Sequence, residues 1–441
     1  MIRLAVAVFA ATLAVQSAAA QTPAQSADAV RRVMASGQYK DAIAFLDKDH
    51  DRIVDETIRL TEIPAPPFKE AAKARAYSEL MRQYGLADVH IDEEGNVIGL
   101  RKGSGGRLIA VSAHLDTVFP EGTNVKVKRE GAKLLAPGVS DDTRGLAAML
   151  ALIRALDAAK IQTGSDILFV ASVGEEGLGD LRGMKHLFLK SAYKDKIDTF
   201  IGLDGGTPAR LVTTALGSRR YKLTFNGPGG HSYAAFGTVN PMFAMGQFLS
   251  GFGETKVPAQ TSYSASVAGG GTSVNAIPME SWMEIDMRSA SPSELTKLET
   301  RMKDLANAAA AAENKARSTK NGSIKVKLEL VGDRPAGSMP LPDGASASAA
   351  DTPVTVKRQT PLVLFASEAM KANGLKPEYV ASSTDANVAM SIGIPAITMA
   401  SGTGDRAHAL DEWLDVEKAG SMRQLGIILT TVLATAGMQG N

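Results

Sequence analysis

No cysteine occurs among the 441 residues, so no disulfide can form in any compartment and no metal can be held by thiolate. A bound cation would have to rest on imidazole and carboxylate, and histidine is itself scarce, with six in the chain. Net charge is nearly absent too. Lys and Arg number 48 against 47 Asp and Glu, and the balance of +1 removes any electrostatic case for nucleic acid or an anionic membrane as partner. No stretch after the N-terminus reaches membrane-spanning length. The apolar run Leu425 to Met438 has the length of an ordinary core helix.

What remains is globular in character. Hydrophobic residues make up 44 % of the chain, enough for a sizeable core, and its length exceeds what one core usually supports, so two domains are expected. The N-terminus carries Arg3, an apolar stretch Leu4 to Val15, and Ser17-Ala18-Ala19-Ala20, whose small residues suit cleavage before Gln21. Residues 1–20 therefore read as a secretory signal, which places the protein in the periplasm or outside the cell. The alternative is a buried N-terminal helix. Residues 21–38 are Ala/Gln/Ser-rich and are expected to form a flexible segment, with the folded chain starting near Tyr39.

Helical patterns follow at Ala42 to Thr61 and Lys69 to Tyr84, separated by Ile63-Pro64-Ala65-Pro66-Pro67, which cannot continue a helix. Strand and helix then alternate. Short apolar runs at 107–113, 166–172, 198–203 and 394–400 suit strands buried on both faces, and an Ala/Leu helix spans Thr143 to Lys160. This is the grammar of an α/β fold: a mixed, mostly parallel sheet covered by helices. After Gly217 the pattern changes to alternating strands and a long helix, Glu294 to Ala311, which suggests an inserted α+β module over 217–333. The first domain would thus comprise 39–216 and 334–441, with a Ser/Ala/Pro/Gly-rich link at Gly337 to Pro353.

The acids and imidazoles fall in a telling place. The first buried strand runs into His114-Leu-Asp116, the second into Glu175-Glu176, the third into Asp204, and the fourth into a Gly-rich loop ending at His408. In an open α/β sheet the carboxyl edge is where ligand sites are built. Several carboxylates gathered there would repel one another unless cations offset them. Ser140-Asp141-Asp142 precedes the Ala/Leu helix; Asp142 suits the helix cap, which leaves Asp141 as the better ligand candidate. Zinc fits a His/Asp/Glu donor set best, with manganese or cobalt as substitutes.

His114-Leu-Asp116, Gly138-Val-Ser-Asp141-Asp142, Gly174-Glu175-Glu176-Gly177, Asp204-Gly-Gly206, Gly227-Pro-Gly-Gly-His231-Ser232 and Ala407-His408 together resemble the ordered motifs of the M20 metallopeptidases, over roughly residues 40 to 435. That family includes exopeptidases and N-acyl amino-acid deacylases. The resemblance implies two zinc ions bridged by Asp141, with His114 and Asp204 completing one site and Glu176 and His408 the other. Glu175 would be the general base, acting on a water that two cations acidify while they polarise the scissile carbonyl. Asp116 would orient the His114 imidazole, since residues i and i+2 on a strand share a face. His231, on the lid, would stabilise the oxyanion, in the family commonly across a homodimer interface. Asn275 and Arg334 match positions that touch substrate, and Gly404 a loop that approaches the substrate backbone; their plainer readings are a turn residue and a domain hinge for the first two.

Small peptides and N-acyl amino acids are the substrates this implies. Aspartate rather than glutamate at Asp204 resembles the peptidase branches and favours an exopeptidase over a deacylase. A non-catalytic peptide binder is the reading from another class, and it would predict a damaged centre, whereas all five ligand positions and Glu175 carry competent residues. Ser191-Ala-Tyr-Lys194 has the Ser-x-x-Lys spacing of penicillin-recognising enzymes without their companion motifs, and Gly269-Gly-Gly271 lacks the Lys-Ser/Thr of a phosphate loop. His50, His90 and His186 read as solvated and without acidic partners.

Overall fold

The computed structural model describes residues 22–342 and 361–439. The signal reading of residues 1–20 and most of the link at 343–353 lie outside the described residues. Among those described, no helix is long and apolar enough to cross a membrane.

Among the described residues the main sheet has nine strands. At its centre four run parallel, in the spatial order Asp166–Ser172, Leu108–His114, Ile197–Asp204 and Ala396–Ala400. Their residues are buried almost throughout, as expected of strands covered on both faces. Antiparallel pairings add Ala87–Ile91 and Val97–Arg101 on one side and Arg210–Ala215 and Gly337–Ser338 on the other, and a ninth strand, Glu378–Ser382, pairs in parallel with Arg210–Ala215. The helix Thr143–Ala158 is apolar on nearly every face because it lies in the middle of the main core. The parallel arrangement has one consequence for function. His114, Ser172, Asp204 and Ala400 all end their strands at the same edge.

The second module is a four-stranded antiparallel sheet, in the order Thr261–Gly270, Glu280–Ser289, Gly217–Asn226, Lys325–Arg334. Leu223, Phe225, Met283 and Met287 point to one face, where the helices Pro241–Gly253 and Pro292–Ala316 close a separate core with Phe248, Phe252 and Met302. The alternate residues of the two central strands, Ser218, Arg220, Asp286 and Arg288, must therefore occupy the other face. A third, small sheet pairs Thr403–Asp405 and Trp413–Asp415 with Lys133–Leu135 and Lys128–Glu130.

Two expectations need correction. Residues 23–35 form a helix rather than a flexible segment: Thr22 and Gln25 make a reciprocal capping box, Pro23 occupies the first turn, and Ser26, Val30 and Val33 are buried along one face. Composition hid a short amphipathic stripe. His50 is buried, not solvated, with Nε2 3.1 Å from the Val416 carbonyl oxygen, and His186 has an acidic neighbour, its Nε2 3.8 Å from the Asp92 carboxylate. Only His90 of the three is exposed.

Candidate metal centre

Asp141 lies at the middle of a cluster built from five chain segments. Its Oδ1 is 3.0 Å from His114 Nε2, which is in turn 3.9 Å from Asp204 Oδ1. Its Oδ2 is 3.3 Å from His408 Nε2, which lies 2.9 Å from Glu176 Oε1. The five side chains thus divide into two groups that share Asp141. His114, Asp141 and Glu176 each offer a ligand atom within 4.8 Å of the others, the separation at which one ion can be shared.

The surroundings aim these donors. His114 Nδ1 is 2.9 Å from the Asp116 carbonyl oxygen, a bond that needs a proton on Nδ1, so Nε2 is the nitrogen turned to the cluster and the one a cation would take. The motif pattern assigned this task to the Asp116 side chain, but that carboxylate is 3.8 Å from Nδ1. It accepts instead from the backbone N–H groups of Glu175 (3.2 Å) and Glu176 (2.8 Å), and so fixes the second strand's exit. Asp142, joined to Asp141 by a cis peptide, caps the following helix through Gly145 N (3.1 Å) and accepts from His114 N (3.0 Å), which ties the two ligand loops together.

Glu412 has no motif around it to single it out in the sequence. Its buried carboxylate accepts from Gly138 N (2.8 Å), Ser140 N (2.8 Å) and Asp141 N (2.9 Å), so it moulds the loop that presents Asp141. Burial pushes its carboxyl up to about 7 against the pull of those three donors. Gly404 lies against the same loop, where an added Cβ would fall 2.0 Å from Ser140 Oγ. A glycine is required there by packing.

The electrostatics are those of a site built for cations. Burial and the neighbouring Asp141 push the Asp204 carboxyl up to about 7. Burial opposes ionisation of Asp141 and of His114, yet their mutual bond wins, holding Asp141 well below the usual carboxylate range and His114 well above its ordinary value. Bonds to Asp141 and Glu176 raise His408 to about 11. The acids and imidazoles here serve as one another's counter-charges, a role divalent ions would take over. With no sulfur among the donors, the set fits hard or borderline cations.

Glu175 is buried beside the cluster. Arg334 Nη1 is 3.1 Å from its Oε1, and Arg334 Nη2 donates to its backbone carbonyl. Burial pushes the Glu175 carboxyl well above the usual range, although Arg334 pulls the other way. A cleft of about 440 Å³ opens here, lined by the carboxylates, His408 and four arginines, Arg210, Arg220, Arg288 and Arg334. Only Arg334 among these arginines was a candidate from sequence. His231 and Asn275 do not line this cleft. They sit side by side at the lid's exposed tip, where Ser232 N bonds to the Asn275 carbonyl, amid exposed Tyr233 (88 %) and Phe236 (90 %).

The family model for peptidase family M20/M25/M40 matches residues 110–425. The chain belongs to this family. Peptide-bond hydrolysis is the activity for which the family is named. A provisionally named LysW-lysine/LysW-ornithine hydrolase from Pyrococcus abyssi is 34 % identical over 127 residues, 28 % of this chain and 34 % of that protein. The chain thus spans about a third of the length of that relative. Aminopeptidase PepT from Bacillus cereus has a similar structure, with a TM-score of 0.63 and 21 % identity over 87 % of this chain and 99 % of that one. The YXEP protein of Bacillus subtilis, described as a dinuclear metal-binding peptidase of the family, gives a TM-score of 0.59 and 17 % identity over 89 % and 99 % of the two chains. These last two likenesses are of fold. They cover both the α/β domain and the inserted module.

Proposed function

We propose that this M20-family chain is an exported two-zinc exopeptidase acting on small peptides, with N-acyl amino acids as the alternative substrates. The observation that carries the reading is the pairing of Glu175 with Glu176. One side chain faces His408 within the ligand cluster, and the other is held beside it by Arg334. His114 and Asp204 would hold one ion and Glu176 and His408 the other, with Asp141 between them. A pair of divalent ions, when bound, supplies Lewis-acid polarisation of the scissile carbonyl and acidifies a water. Burial raises the proton affinity of the Glu175 carboxylate, which suits a general base that takes a proton from the water and returns it to the departing amine. A cleft of about 440 Å³ suits a small peptide, not a folded protein.

The exposed aromatic side chains at the lid tip support a homodimer through that module, which would bring His231 and Asn275 of one subunit to the cleft of its partner. Manganese or cobalt would serve the same donor set. The signal-like N-terminus supports export, to be checked by fractionating cells and sequencing the mature N-terminus.

The decisive experiment incubates zinc-loaded protein with di- and tripeptides and N-acyl amino acids and identifies the products by mass. Glu175→Gln should retain its metal and lose activity by roughly 10²- to 10⁴-fold. Equal rates for variant and wild type would remove Glu175 from the reaction.

A further inference from the structure

The chain passes between the α/β domain and the lid twice, and the two passages lie side by side. In the main sheet Ala215 pairs with Gly337, and in the lid sheet Ser218 pairs with Arg334. Between those pairs the ladder joining the two strands lapses, over Leu216 and Gly217 on one and Pro335 and Ala336 on the other. The strands stay close, since a Cβ added to Gly217 would fall 3.2 Å from the Ala336 Cβ. Pro335 has no N–H to give, so the carbonyls of this stretch must find donors outside it.

One side chain serves both passages. Asn387 is fully buried on the helix Ala386–Ser391. Its Nδ2 donates to the Leu216 carbonyl oxygen at 2.8 Å and to the Pro335 carbonyl oxygen at 3.0 Å. Its Oδ1 accepts from Thr384 N at 2.9 Å, and because a backbone N–H can face only the oxygen, that bond sets which end of the amide carries the hydrogens. Every strong hydrogen-bonding position of the Asn387 amide nitrogen is therefore spent on holding the two crossings together.

The same stretch reaches the cleft. The Ser382 carbonyl accepts from Leu216 N at 2.9 Å, and Ser383 Oγ accepts from Arg334 Nη1 at 3.2 Å. Arg334 immediately precedes Pro335, and it is the side chain whose Nη1 lies 3.1 Å from Glu175 Oε1 and whose Nη2 donates to the Glu175 backbone carbonyl. Arg334 belongs to the last strand of the lid, whereas Glu175 follows a strand of the α/β domain. Their contact is only as well placed as the seat of the lid.

We propose that Asn387 is a positioning residue for the reaction: its amide fixes the lid on the α/β domain and, through Pro335 and Arg334, holds Glu175 in place. It touches neither substrate nor metal ligand. Misplacing a reacting group by about 1 Å costs on the order of 10²-fold in rate, so a clasp one residue from Arg334 has a kinetic consequence. That consequence rests on the hydrolase reading; the clasp itself does not.

Asn387→Asp keeps the shape and the Oδ1 acceptor but removes both donors and turns an oxygen toward two carbonyl oxygens. Asn387→Ala removes the donors without adding charge. Because the chain has no cysteine, spin labels can be placed through Lys190→Cys in the α/β domain and Lys320→Cys in the lid, both exposed. Labelled protein is diluted with unlabelled protein, so that pulsed electron resonance reads distances within one chain. Zinc-loaded wild type should give one narrow distance, and both Asn387 variants a shifted or broadened one. Their kcat per bound zinc should fall by roughly 10- to 100-fold, with KM moving far less. Leu433→Ala, a truncation in the main core, controls for lost stability and should leave both readouts unchanged. Distances and kcat equal to wild type overturn the proposal and leave the hydrolase standing. Failure of both Asn387 variants to fold, or the same changes in Leu433→Ala, would make the amide a stability element alone and overturn it too. A changed distance alongside a wild type that cleaves no peptide or N-acyl amino acid upholds the clasp and sinks the hydrolase.

Discussion

Replacing Glu412 with glutamine perturbs the metal centre without touching a ligand. In the wild type one carboxylate oxygen accepts from Ser140 N and Asp141 N and the other from Gly138 N. A glutamine can keep the first two bonds through its amide oxygen, but its NH₂ then faces the Gly138 N–H, donor against donor. One charge-assisted bond is lost outright, at about 1.5–3 kcal/mol, and the two survivors become neutral and weaker, so a total of about 2–4 kcal/mol is expected. The loop that yields is the one carrying Asp141, the residue between the two ligand groups. Zinc affinity should fall by roughly 10- to 100-fold, the usual consequence of disturbing a group that orients a ligand. Urea unfolding of the metal-free protein measures the first effect, and competition with a chelating dye measures the second. Performing the unfolding without metal keeps the loss of bound ions from counting twice. Unfolding midpoints and zinc affinities equal to wild type would show that the loop holds its shape without the carboxylate, and the positioning argument would fall.

Other outcomes are equally specific. Arg154→Met strands the buried carboxylates of Glu56 (2.9 Å) and Asp49 (2.6 Å) and should cost about 3–5 kcal/mol in urea unfolding; a loss under about 1 kcal/mol would mean the pair is not truly desolvated. Gly404→Ala drives a methyl group into Ser140 and the Trp413 carbonyl, and should destabilise by about 1–3 kcal/mol while lowering zinc occupancy measured by elemental analysis. Burial lowers the Lys73 ammonium from its ordinary 10.5 to about 8 despite the pull of Asp116, Asp142 and Glu412. Its folded value lies below the unfolded one, so the stability it contributes is complete above about pH 10.5 and is lost as pH falls through 8. That displacement corresponds to about 3 kcal/mol. The stability of wild type relative to Lys73→Met should therefore rise between pH 7.5 and 10.5, and a constant difference would contradict the assignment.

Much of the architecture is written in the chain itself. The apolar runs ending in His114, Glu175, Asp204 and the loop to His408 are legible because strands buried on both faces are mostly apolar until they leave the sheet. The inserted module is legible because one-sided burial leaves an alternating pattern, as in Ser281 to Arg288. The helix at 23–35 escapes such a reading because its stripe is only three residues long and sits in an Ala/Gln background. The arginines of the cleft escape it for a different reason. Arg220 and Arg288 look like the solvent-side residues of alternating strands, and nothing local says that this side faces another domain.

Sequence by itself determined which residues could bind cations, and that they leave parallel strands, because periodicity and the absence of sulfur are properties of the chain alone. Tertiary structure decided what stands around them. Glu412 reaches a loop more than 270 positions away, Asp116 spends its carboxylate on the backbone of Glu175 and Glu176, and the register of the lid sheet puts Arg288 and Arg334 in one row. These partnerships join residues far apart in the chain, and no local pattern encodes a contact that exists only once the sheets have formed and packed.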